Sequence, residues 1–198
     1  MATEVQICNI ALSRIGQNQG IDSLAEKSQA AALCDLHYEQ CRDDVLSEFD
    51  WPFAESRIFL ADLGSPPEAW GYRYAYPADC LKARYIALPG MENPPAQSRI
   101  PFKVVNAGNS RAVLTNQEQA ELVYTMRVTN TGLFSSPFVS ALAWRIAAEL
   151  AMGLTSKPDN YAAAMNSYRV ELMRAQALSY EQSQESEPPE SEFERVRY

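Results

Sequence analysis

Ser136-Pro137-Phe138-Val139-Ser140-Ala141-Leu142-Ala143-Trp144-Arg145-Ile146-Ala147-Ala148-Glu149-Leu150-Ala151-Met152-Gly153 is the stretch on which the fold turns. Ser136 reads as an N-cap and Pro137 as the first helical residue, where a missing N–H costs nothing. Phe138, Ala141, Leu142, Trp144, Ile146, Ala148, Leu150 and Met152 surround the resulting helix almost completely. Only Arg145 and Glu149, one helical turn apart, mark a polar edge. A helix that is apolar all round has to be covered on several sides. Partners for it must therefore come from elsewhere in the chain.

Three other segments supply them. The first runs from about Glu4 to Ile15, with Thr3 and Gln6 forming a capping box and Gly16 stopping it. Val5, Cys8, Leu12 and Ile15 make its apolar stripe, and the linker from Gln17 to Leu24 is expected to fold back through Ile21 and Leu24. A second runs from about Ser28 to Phe49, where Ala31, Cys34, Tyr38, Cys41, Val45 and Phe49 recur at helical spacing. Its Arg42, Asp43 and Asp44 are expected on the solvent side, and Pro52 closes it. The last spans about Asp159 to Glu181.

Between these helices the periodicity changes. Short runs at Arg57–Leu60, Tyr72–Tyr76, Ala83–Ala87, Phe102–Val105, Arg111–Leu114 and Ala120–Arg127 are separated by Gly-, Pro- and Asn-containing turns. Six closely spaced strands predict an antiparallel sheet or small sandwich. The expected fold is thus α+β: a bundle of about four helices from residues 1–52 and 136–182, a β domain inserted at 53–135, and an extended acidic arm over 183–198.

The fourth helix carries two stripes. Tyr161, Met165, Tyr168, Leu172 and Ala175 share one face. Ala163, Val170, Met173, Ala177 and Tyr180 lie nearly opposite, at 100° per residue. A monomer's surface helix needs one stripe, so Val170, Met173, Ala177 and Tyr180 are the expected subunit interface. In the arm, four glutamates and Pro188-Pro189 precede Phe193-Glu194-Arg195-Val196-Arg197-Tyr198. Phe193, Val196 and Tyr198 are the expected contacts of an arm that orders on a different protein.

Charge narrows the function classes. With 17 Lys and Arg against 25 Asp and Glu, the 198-residue chain has a formal charge of −8. That balance disfavours sequence-independent nucleic-acid binding and docking on anionic membranes. No apolar run approaches the roughly 20 residues of a membrane span. The start, Met-Ala-Thr-Glu-Val-Gln, lacks a basic n-region, so the expected site of synthesis is the cytoplasm.

The four cysteines (Cys8, Cys34, Cys41 and Cys80) do not make a disulfide framework. Cys34, His37 and Cys41 share a helical face, but zinc needs four ligands and no fourth stands nearby in sequence, although Cys8 of the first helix could pack against this one. Core thiols with a flanking histidine are the simpler reading. His37 is the single histidine. No G-x-S-x-G, Walker A, H-E-x-x-H or G-x-G-x-x-G pattern occurs. No catalytic residue, metal or cofactor is therefore nominated.

The order of several local strings resembles a family. They are Asn9-Ile10-Ala11-Leu12-Ser13-Arg14-Ile15-Gly16 with Ile21-Asp22-Ser23-Leu24; Tyr38, Arg42, Leu46 and Asp50-Trp51-Pro52-Phe53-Ala54; Trp70-Gly71-Tyr72-Arg73-Tyr74-Ala75-Tyr76-Pro77-Ala78-Asp79-Cys80-Leu81; and Leu142–Ala151 with Leu154-Thr155. Over roughly residues 4 to 182 the chain resembles the tail tubular protein A family, head-to-tail adaptors of short-tailed phages. The resemblance implies a structural virion protein in the tail at the portal vertex. It also implies a homo-oligomeric ring, usually twelvefold, between the portal protein and the tail nozzle. Genome DNA would pass through the ring's channel without specific binding.

Two other readings compete. A tail-associated enzyme degrading polysaccharide or peptidoglycan would need two carboxylates about 5 to 10 Å apart across a cleft. Asp43, Asp44, Glu48 and Asp50 near Trp51 offer the carboxylates, although their placement looks like a solvated face. A generic oligomerising α+β protein is the third. For it, the aromatics of Trp70–Tyr76 fill a sheet core; in an adaptor, some of them face a neighbouring ring.

Overall fold

The computed structural model describes residues 2–87, 95, 98–155 and 157–182, with side-chain surroundings as far as residue 178. It has an α+β fold of four α-helices and two small antiparallel sheets. The helices are α1 (Glu4–Arg14), α2 (Gln29–Glu48), α3 (Ser136–Thr155) and α4 (Pro158–Gln182). The strands are β1 (Glu55–Phe59), β2 (Tyr72–Ala75), β3 (Cys80–Ile86), β4 (Phe102–Ala107), β5 (Ser110–Thr115) and β6 (Glu121–Met126).

The ends of the helices follow local chemistry. At α1 the capping box closes reciprocally: Gln6 N donates to Thr3 Oγ1 at 3.2 Å and Thr3 N to Gln6 Oε1 at 2.9 Å. Gly16 then takes a φ of +80°, open to glycine at little cost. The following linker does fold back. Asn9 Nδ2 donates to Ile21 O at 2.9 Å, and Ile21 N donates to Asn9 Oδ1 at 2.8 Å. Ile21 is thereby buried, and a Cβ on Gly20 would lie 3.0 Å from Asn9 Oδ1. Ser28 caps α2 through Ala31 N. The cap of α3 differs from expectation: Ser135, not Ser136, accepts from Phe138 N, so Pro137 is the second helical residue.

α3 packs against α1, α2 and α4. Phe138, Ala141, Leu142, Ala143, Ile146, Ala147, Ala148, Leu150 and Ala151 are all buried. By length and composition alone α3 qualifies as a membrane span, against the expectation that no run does. A helix covered by other helices acquires the same composition. Met152 is the exception to all-round cover and stands exposed near the end of α3. Arg14 ties α1 to α3, donating to Ser140 O at 2.8 Å and lying 4.3 Å from the Trp144 ring centre.

The sheets have orders β1-β6-β3 and β2-β5-β4. Glu55 pairs with Thr125 and Phe59 with Glu121 in the first; Tyr74 pairs with Val113 in the second. Side chains from both sheets meet in one core of Leu60, Tyr74, Cys80, Ile86, Val113, Ala120, Leu122 and Tyr124. Tyr72, Tyr74 and Tyr76 share a strand face and contribute to this core, with Tyr72 and Tyr74 stacked at 6.0 Å. The aromatic strand is therefore inward-facing. Trp51, Phe53, Phe134 and Phe138 form a ring cluster where the chain passes between helices and strands.

Candidate interaction surface

The side chains expected to do the work sit on α4. Ala164, Tyr168 and Ala175 turn inward and are buried, with Met165 and Leu172 packed beside them. Tyr161, assigned to the same inner stripe by spacing, is exposed near the start of the helix. On the opposite face Val170 is 53% exposed and Met173 60%, and Ala177 is also exposed. Nothing else in the chain covers these three among the described residues. Tyr180 lies on α4, but its side chain falls outside the described residues. Phe193, Val196 and Tyr198 lie outside them altogether.

Arg169 and Arg174 border the same exposed stripe, and both are exposed. Neither makes an ion pair among the described residues. This apolar face with a cationic margin stands out on a chain of charge −8.

The acidic run of α2 behaves differently from the solvated face expected of it. Arg42 is only 3% exposed and makes a 2.9 Å ion pair with Asp43. From the chain after β6, Arg127 Nε reaches the same Asp43 at 2.8 Å. Asp44 meets Arg145 at 3.4 Å, and Arg145 also pairs with Glu149. Glu48 accepts a hydrogen bond from the Tyr168 hydroxyl. Asp50 faces Lys82 at 3.0 Å and Arg84 at 3.4 Å. Arg84, on β3, also donates to Trp51 O, Glu55 and Thr125 Oγ1. Each of these carboxylates thus has a structural partner, and together they join α2 to α3, α4 and the strands. Sequence reading missed this because, Arg42 beside Asp43 apart, the partners of these carboxylates lie 32 to 120 residues away.

The thiols are core groups. All four are reduced and buried. Cys8 and Cys34 hydrogen-bond to each other, which with burial holds the Cys8 thiol far above its ordinary range. Burial pushes Cys41 up to about 12. His37 is half-buried, apart from the inward-facing Cys34 and Cys41. Among the described residues no group of three or more His, Cys, Asp or Glu is placed to hold a metal.

A cleft of about 510 Å³ opens at the β4–β5 turn, lined by Tyr76, Pro77, Ala78, Asn106, Gly108, Asn109, Ser110 and Arg111. Arg111 lies 4.3 Å from the Tyr76 ring centre. Its lining has no carboxylate, so it does not present the carboxylate pair that glycoside hydrolysis uses.

These features define an α+β protein with an uncovered helix face. No family model matches the sequence, and no curated protein matches it.

Proposed function

We propose that this chain is a structural virion subunit, a head-to-tail adaptor whose copies form a ring between the portal and the tail nozzle. The observation that carries the reading is the uncovered apolar face of α4, where Val170, Met173 and Ala177 stand in solvent while the opposite face packs inward. An exposed apolar stripe on a helix is a docking surface in waiting. The ordered strings from Asn9 to Thr155 supply the family resemblance. Acidity also suits a conduit, since a basic lumen would bind the phosphate backbone and hold the DNA back. The partners on this reading are further copies of the chain, the portal and the nozzle. DNA passes through without specific contacts, and no reaction is catalysed.

The test is the solution mass of the purified chain, alone and mixed with its portal. A ring-sized species in either condition supports the adaptor. A monomer that ignores the portal overturns it, and cleavage of polysaccharide by that monomer would favour the enzyme.

A further inference from the structure

α2 has its own unpartnered stripe. Ala32, Asp35, Leu36 and Glu39 are all exposed, out of phase with Ala31, Cys34, Tyr38 and Cys41 that enter the core. Leu36 is 67% exposed, on the same helix whose Ala31, Cys34, Tyr38 and Cys41 are buried. Asp35 makes no ion pair among the described residues, and Glu39 only a 3.8 Å contact to Arg42. This stripe is apolar with an acidic margin. The outer face of α4 is apolar with a cationic margin.

We propose that the outer face of α4 seats on the outer face of α2 of a second copy, Arg169 and Arg174 against Asp35 and Glu39, Leu36 against Val170 and Met173. The inference rests on the oligomeric reading above and names the surface that receives α4. Charge decides between the possible pairings. Two α4 faces would bring Arg169 and Arg174 against their own copies, and two α2 faces would do the same with Asp35 and Glu39. Like charges brought together in an interface are strongly disfavoured. Only the mixed pairing brings opposite signs together over apolar centres. Another exposed apolar pair, Ile58 and Phe59 on β1, has no such code, because Arg57 and Glu55 beside it already pair at 3.5 Å. A contact between two different patches leaves the pair with one α4 face and one α2 face still open, so addition continues and closes into a ring where the rotation between copies allows.

The experiment uses the full chain and charge reversal in two variants. One carries Arg169→Glu and Arg174→Glu, the other Asp35→Lys and Glu39→Lys; all four positions are exposed, and circular dichroism checks that each variant is folded. Light scattering then follows assembly against concentration. Each variant alone should need about tenfold or more additional protein to reach half assembly, the scale of lost charge complementarity. An equimolar mixture should recover wild-type assembly, because every α4–α2 contact in an alternating ring is again between opposite charges. Variants that assemble like wild type, or a mixture that fails to recover, overturn the α2–α4 pairing while leaving the ring reading intact. A wild-type chain that stays monomeric with and without portal overturns the ring reading, and this pairing with it.

Discussion

Tyr168 of α4 donates its hydroxyl to the Glu48 carboxylate of α2 from a position only 2% exposed. The bond spans 120 residues of sequence and fixes the last helix against the second. Tyr168 enters the core together with Ala164 and Ala175, and that buried stripe leaves Val170 and Met173 facing outward.

Removing that hydroxyl should loosen the bundle without touching the exposed face. Tyr168→Phe keeps the ring and loses a hydrogen bond to a charged group, expected to cost about 1–2 kcal/mol. Urea unfolding should show a lower midpoint at unchanged slope. Association measured on the still-folded protein should be unchanged.

Arg84 is the strongest single tie between strands and helices. Its side chain is 5% exposed, and it binds Asp50, Glu55, Thr125 and the Trp51 carbonyl. Because Asp50 and Glu55 are partly solvated and can rehydrate, Arg84→Ala is expected to cost about 2 kcal/mol rather than the full penalty of a buried pair. Arg84→Lys should recover only part of this, since one ammonium cannot reproduce the planar fork. Chemical denaturation of the three proteins checks both statements.

The thiols should be silent in the native state. The thiolate is the reactive form, and burial raises Cys41 to about 12. Native protein at pH 8 should therefore react negligibly with a disulfide reagent such as Ellman's, and denatured protein should release four equivalents, one for each cysteine. Fast reaction of any thiol in the native protein would contradict the burial of these side chains.

Alkali should unfold the protein cooperatively. Burial raises the hydroxyls of Tyr38, Tyr76 and Tyr168 above their ordinary value of 10, with Glu48 adding to the effect at Tyr168. A group raised in the folded state contributes stability that is complete below its unfolded pKa. That contribution is lost as pH climbs from about 10, where unfolded tyrosines ionise first. Melting temperature should thus fall above pH 10, and the share of phenolate absorbance that comes from these buried tyrosines should rise with unfolding rather than before it.

Much of this architecture was legible because it is periodic. Residues Phe138 to Leu150 announce a covered helix, and the two stripes of α4 separate into inward Met165, Tyr168, Leu172 and Ala175 against exposed Val170, Met173 and Ala177, although Tyr161 of the inner stripe stands exposed. What escaped was long-range and electrostatic. Arg42 stands one turn after Tyr38 and one turn before Leu46, so spacing alone sets it beside the buried stripe; its charge suggested solvent, and the structure instead buries it in an ion pair with Asp43. The exposed stripe around Leu36 has a signal of its own, a leucine out of phase with the core positions, but a single leucine between acids is easily passed over. Whether Tyr72, Tyr74 and Tyr76 faced a core or a neighbour could not follow from alternation, which assigns two faces and says nothing of what covers them.

The enclosure of α3 by three other helices constrains how this lineage can change. An alanine at 141, 147 or 151 that grew by even one methyl group would push against a neighbour with no room to yield. Compensation would need a simultaneous change on another helix. Drift should therefore concentrate in the hairpin turns and the linkers, with the central helix among the last segments to diverge.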